Sequence, residues 1–299
     1  MLLAATKHLA MILYLDNALS IGPNSRAGRY LDRGLNENLA REVLELHTLG
    51  VDGGYGQPDV LALAKLITGW SLARPGRQPN PGEFHFHDRA HEPGAKVLLG
   101  NTYDQGGIDE GEAALLALAR HPATARHIAL KFARHFVADE PTKALVSDLA
   151  GIFTETDGDL LALAEAVIDR AEAWQAPHAK YKTPYEFALS VLRVTSFSDN
   201  AKRLVGSFNE LGQLPFRAPS PAGWPDVAAA RAGPDAVVRR AEWSFAVVRR
   251  VAGGAKPLRL LDMTLGPLAS ARTREAIERA ESSARGVALL FVSPEFQRR

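Results

Sequence analysis

The chain has 299 residues, 46% hydrophobic and 23% charged, the balance of a folded globular protein rather than a disordered one. A formal net charge of +1 gives no global basic field, so nucleic acid is not an expected partner. Cysteine is absent, which excludes disulfides and thiolate chemistry and leaves the compartment open.

From the N-terminus, Lys7 and His8 interrupt an apolar stretch that has no basic segment before it. It therefore reads as an amphipathic helix over residues 3–18, not a signal peptide. The chain begins abruptly, as if a preceding region were missing, and an exposed apolar strip along Leu2–Leu15 is expected. No apolar run reaches the roughly 20 residues that a membrane span requires.

Helical periodicity then predicts helices over residues 37–49, 59–68, 108–120, 123–137, 142–154, 160–173 and 185–194, and over 201–211, 234–251, 270–281 and 284–291. Only residues 83–100 argue for strands. Phe84 and Phe86 alternate with polar residues, a turn follows at His91–Gly94, and Lys96–Gly100 can return as the second strand. The expected fold is all-α, a multi-helical bundle-like body with one short β-hairpin arm near residues 83–100. A single helical domain over 1–299 is expected. The Pro/Gly-rich loop at 215–225 allows division into a main body, 1–214, and a C-terminal group, 215–299.

The densest chemistry lies between Asn36 and Trp70. On a regular helix at about 100° per residue, Asn38, Arg41, Glu42 and Glu45 share one face, with Leu39, Val43, Leu44 and Leu46 opposite. His47 falls among the apolar residues. This face is either a solvated surface with an internal ion pair, or a site where Glu42 and Glu45 bind a cation or exchange protons. The loop Val51–Gly56 needs left-handed backbone in places, and Gly56 with Asp59 suits the start of the next helix.

His85 and His87 share a strand face and could reach a metal with His91 or Asp88; an exposed arm is the alternative. Arg126, His127, Lys131, Arg134 and His135 form a basic stripe that either covers a surface or pairs with acids. Trp70 and Trp224 stand beside loops, where aromatics line clefts or pack beneath them. No Gly-x-Ser-x-Gly elbow, HExxH pair, Walker loop or dinucleotide fingerprint is present.

The blocks Asn38-x-Ala40-Arg41-Glu42-x-x-Glu45-Leu46-His47-Thr48-Leu49-Gly50, Asp52-Gly53-Gly54-Tyr55-x-Gln57-x-Asp59-Val60 and Thr68-Gly69-Trp70 resemble the bacterial domain-of-unknown-function 1800 family. So do Tyr14–Asn17, Gly22–Ser25, His91-x-x-Gly94-x-Lys96, His121–Ala125, Phe136–Asp139 and Ser293–Arg299. The resemblance implies a helical bacterial protein without an established activity or catalytic residues. Longer members carry an export signal and a further N-terminal region, and are often encoded beside another exported family. An exported or periplasmic setting is thus expected, as is a shortened chain. Gly56 stands where a threonine is usual and Glu92 where an aspartate is, while His85 and His87 lie outside the pattern.

The resulting expectation is a polar pocket at the Gly53-Gly54 loop, serving an exported or cell-envelope process. Glu42, Glu45 and His91 would be catalytic, with a divalent metal possible on Glu42 and Glu45. Asn38, Arg41, His47, Asp59, Trp70 and Lys96 would bind, and a protein or envelope polymer would be the partner. The alternatives are a non-enzymatic scaffold, whose polar residues cap helices and tie loops, and an inactive remnant of a longer protein.

Overall fold

The computed structural model describes residues 1–31, 34–175, 178–197, 201–251 and 256–299. It is predominantly helical, with two small two-stranded antiparallel sheets. The chain forms two compact units, Met1–Lys131 with Thr142–Ala166, and Phe132–Pro141 with Val167–Arg299.

The first unit opens with two short helices, α1 (Leu2–Thr6) and α2 (Leu9–Tyr14), in place of the single helix predicted. The break has a local cause. His8 adopts extended backbone and its ring accepts the Ala10 N–H, so it caps α2 instead of continuing α1. Ile12 and Leu15 face the core, while Leu9, Leu13 and Tyr14 are exposed as an apolar strip.

Helix α3 (Asn38–Glu42) does not run on regularly to Gly50. It passes into a π-helical turn, Val43–His47. Beyond that turn the Thr48 hydroxyl donates to the Val43 carbonyl at 2.7 Å, and the Gly50 N–H reaches Leu44 O at 3.1 Å. Gly50 takes φ +84 and lies against His127, so a side chain there would be both strained and obstructed. Helix α4 (Gln57–Leu66) follows, begun as expected by Gly56 and Asp59.

Both sequence segments expected to be strands are strands, but they do not pair with each other. Strand β1 (Trp70–Leu72) pairs with β2 (Phe84–Phe86) in the register Trp70↔Phe86, and β3 (Lys96–Leu98) with β4 (Asn101–Tyr103) in the register Lys96↔Tyr103. Helix α5 (Ile108–Ala119) then packs on α1 and α4, and α6 (Pro122–Phe136), α7 (Lys143–Glu155) and α8 (Leu160–Asp169) follow. The core gathers Leu39, Val43 and Leu44 from the motif turn, Leu63 and Leu66 from α4, and Leu115 and Leu118 from α5 around fully buried Trp70.

The second unit holds α9 (Glu172–Gln175), α10 (Pro184–Thr195), α11 (Ala201–Glu210), α12 (Pro234–Val251), α13 (Pro257–Thr264), α14 (Ala271–Glu278) and α15 (Ser283–Val292). Its core joins Phe187, Trp243, Val247, Leu261, Val287, Phe291 and Phe296. The chain end returns beside residues 180–182: Lys182 N donates to Gln297 O at 2.8 Å, and Arg299 N to Lys180 O at 2.8 Å. Among the described residues no helix is long and apolar enough to cross a membrane.

Trp70 occupies its place because Gly111 has no side chain. A Cβ at Gly111 would lie 2.7 Å from Trp70 Cζ2 and 2.9 Å from the Leu66 carbonyl oxygen. Gly111→Ala is therefore expected to destabilise the first unit by about 1–3 kcal/mol, the usual cost of overpacking. Urea denaturation reads the loss; an unchanged midpoint would mean that α5 and Trp70 are not in fixed register.

Candidate functional site

The polar residues of the first unit divide into two groups. One surrounds the π-helical turn. Arg41 donates to Glu37 Oε2 at 3.1 Å, to Gln57 Oε1 at 3.0 Å and to Glu45 Oε1 at 3.3 Å, while Gln57 Nε2 donates to Glu37 Oε2 at 2.7 Å. Tyr55 adds a side-chain hydrogen bond to Glu45. This half-exposed network ties the start of α3 to the start of α4.

At the two ends of the π turn, Glu42 and His47 behave differently. Glu42 Oε2 and His47 Nδ1 are buried and have no hydrogen-bond partner. Burial, then the Glu45 carboxylate, raises the Glu42 pKa above its ordinary value. Burial, then the Lys131 ammonium, lowers that of His47. The π turn adds a residue to its hydrogen-bonded ring, so positions past Val43 depart from the regular wheel on which His47 was separated from the acids.

The second group is buried and closed. His91, Lys96 and Glu110 are 6%, 5% and 4% exposed, so three ionisable side chains share one dry site. His91 Nε2 bonds Glu110 Oε1, and its Nδ1 donates to the Thr68 carbonyl at 2.8 Å. Lys96 Nζ donates to the same Glu110 oxygen at 2.5 Å and to Glu92 O at 2.5 Å. The Thr68 hydroxyl accepts the Glu92 N–H at 2.9 Å and donates to Lys65 O at 2.6 Å. Glu92 in turn accepts from Asn24 through its backbone N–H at 2.9 Å and its side-chain amide at 2.6 Å. Of the triad's side-chain polar atoms, only Glu110 Oε2 is without a partner.

Among the described residues no hydrogen bond or ion pair joins the Arg41–Glu45 group to His91 or Lys96. The other expected site residues have local duties. Asn38 is exposed, its N–H bonded to Asn36 Oδ1 at 2.8 Å. Asp59 accepts the N–H groups of Gly56 and Leu99 at 2.9 and 2.8 Å, fastening the start of α4 to the β3–β4 turn. Trp70 packs edge-on against Phe84 with Lys7 over its ring. Asn17, from the family pattern, donates to the Ile67 and Trp70 carbonyls at 3.2 and 2.9 Å.

His85 and His87 lie edge to face at 4.6 Å, while His91 belongs to the buried triad. Among the described residues no three His, Asp or Glu side chains converge as a metal ion would require. The basic stripe on α6 is dispersed over several partners. His127 meets Leu46 O, Arg134 meets Asp139 O, and His135 meets Asp226. Trp224 is half-buried and lines a cleft of the second unit with Arg239 and Gln213.

Three residues that sequence reasoning missed prove central. Glu110 completes the triad. In the second unit, buried Lys180 binds Asp139 and Asp226, and buried Arg240 donates to Gln297 Oε1 and Lys182 O at 2.6 Å each. Two had a legible signal. Glu110 shares a helix face with Ala114 and Leu118, and Arg240 shares one with Trp243, Ser244 and Val247, which marks a charge aimed into a core.

In this helical body several of the matched polar residues sit at helix starts and hairpin junctions. The family model described as "Protein of unknown function (DUF1800)" matches residues 1–298, and the chain belongs to that family. No curated protein and no solved structure gives a significant match.

Removing one member of a buried charged set strands the others. Lys96→Met is expected to cost about 3–5 kcal/mol in denaturant unfolding. Glu42 gives the opposite sign. Its raised folded pKa stabilises the fold only where the group is protonated, and that contribution is lost as pH rises through the folded value. Glu42→Gln is therefore expected to raise the thermal midpoint at pH 7, with the gain vanishing near pH 4. His47, its pKa lowered in the fold by burial and then by Lys131, binds a proton more readily when unfolded, so stability falls as pH drops below about 6.5. His47→Gln should flatten that limb of the stability profile, and an unaltered limb would count against the assignment.

Proposed function

We propose that the chain serves an exported or cell-envelope process as a non-enzymatic assembly module that engages a protein partner. The observation that carries this reading is the closed His91–Lys96–Glu110 network. A catalytic imidazole needs one nitrogen, and a catalytic lysine one open direction, facing a reactant. Here both imidazole nitrogens and the ammonium are turned onto Thr68, Glu110 and Glu92 inside the protein. Their work is to hold the β3–β4 hairpin against α5. The exposed strip of Leu9, Leu13 and Tyr14 supplies apolar surface for a partner. The exported setting rests on the family resemblance alone.

A second reading draws on the π turn. Buried polar atoms without partners occur in folded proteins chiefly where something else completes them, and π turns concentrate at functional sites. On this reading the Asn38–Trp70 motif forms a polar pocket. Glu42 and Glu45 act there as acid/base or cation-binding groups, and Arg41 orients an anionic ligand.

Complementation of a strain lacking the gene separates the two. Leu9→Ser/Leu13→Ser/Tyr14→Ser is expected to fold yet fail to restore the strain, while Glu42→Gln/Glu45→Gln restores it. The reverse pattern, with both variants folded, would replace assembly by the pocket.

A further inference from the structure

A cleft of about 480 Å³ in the first unit lies apart from both polar groups described above. Its lining includes Arg74, Arg77 and Gln78 from the loop between β1 and β2, His87 just after β2, and Arg89 from the 3-10 turn Asp88–Ala90. The facing wall comes from residues 18–31, bound to that turn by Ala27 N to Arg89 O at 2.8 Å and Gly22 N to Ala90 O at 2.9 Å.

The charge of this hollow is one-sided. Among the described residues no carboxylate lines it, and none of the three guanidiniums takes part in an ion pair. Arg41 and Arg120 of the same unit are instead matched, the first to Glu37 and Glu45 and the second to Asp157. His87 Nε2 is buried with no hydrogen-bond partner, while the ring bonds the Leu72 backbone. The cleft thus offers three planar cationic forks and one unused imidazole nitrogen, in a volume within the range of small-ligand sites.

We propose that this cleft binds a small ligand bearing a phosphate or sulfate group. Three guanidiniums around one hollow suit a tetrahedral, multiply charged oxyanion, whose oxygens accept from several forks at once. The volume leaves room beyond that group for the body of a sugar-sized molecule. The site is independent of the assembly reading and uses none of its residues.

Calorimetric titration of the full chain with pyrophosphate and, separately, with sulfate at low salt tests the idea. Saturable binding of either anion is expected, and the tighter of the two identifies the source chemistry. In Arg77→Gln/Arg89→Gln the affinity should fall at least about tenfold. In Arg126→Gln/Lys131→Gln, two exposed cations of α6 outside the cleft, it should hold. The arginines replaced are exposed, and an unchanged thermal midpoint verifies that the variant is folded. Absence of saturable binding for both anions at millimolar concentration would overturn the proposal, as would equal binding by the cleft variant.

Discussion

The first unit depends on a charge that has no access to water. Glu110 stands near the start of α5, in the interior, and is tolerable there only because His91 and Lys96 reach it from the β3–β4 side. Burying such a set is expensive and gives little net stability over an apolar core. What it adds is register, since a slip of the hairpin by one residue would leave a carboxylate and an ammonium unpaired in a dry site. Thr68 extends the constraint to the end of α4, and Glu92 extends it to Asn24. Segments far apart in the chain thereby share one arrangement.

The helices of this fold were legible where the apolar period of 3.6 persisted for three turns, as in α5, α6, α10 and α12. Some short elements were not. Helix α13 has eight residues and a single fully buried leucine, Leu261, too little pattern to stand out. The split between α1 and α2 turns on one imidazole capping one N–H, which leaves no trace in hydrophobicity. Strand pairing failed for a related reason. Phe84–Phe86 was readable as a strand, but its partner Trp70–Leu72 is three residues long and lies across a loop of Pro and Gly.

Two members of the buried triad, His91 and Lys96, were singled out in the sequence, and the third, Glu110, was not. His91 and Lys96 do act together, but their acid is Glu110 rather than Glu42 or Glu45. A helical wheel orders the residues of one helix; it carries no information on which helix delivers a charge to a distant hairpin. The wheel also assumed a regular helix, and the π turn at Val43–His47 removes that assumption where it mattered most. Its widening ends with a threonine hydroxyl on a carbonyl five residues back, an event that composition does not encode.

The second unit shows the same economy of charge at its final residues. Arg240 is sealed in the interior with its guanidinium divided between the Gln297 side chain and the Lys182 carbonyl, and its plane lies over Tyr181. Lys182, its pKa lowered by burial to about 8, caps Phe296 O in turn. Residues 296–299 are thus part of the wiring of this unit. A label or cross-linker placed at Gln297 would strip a sealed cation of its partner, so fluorophores belong elsewhere on this unit.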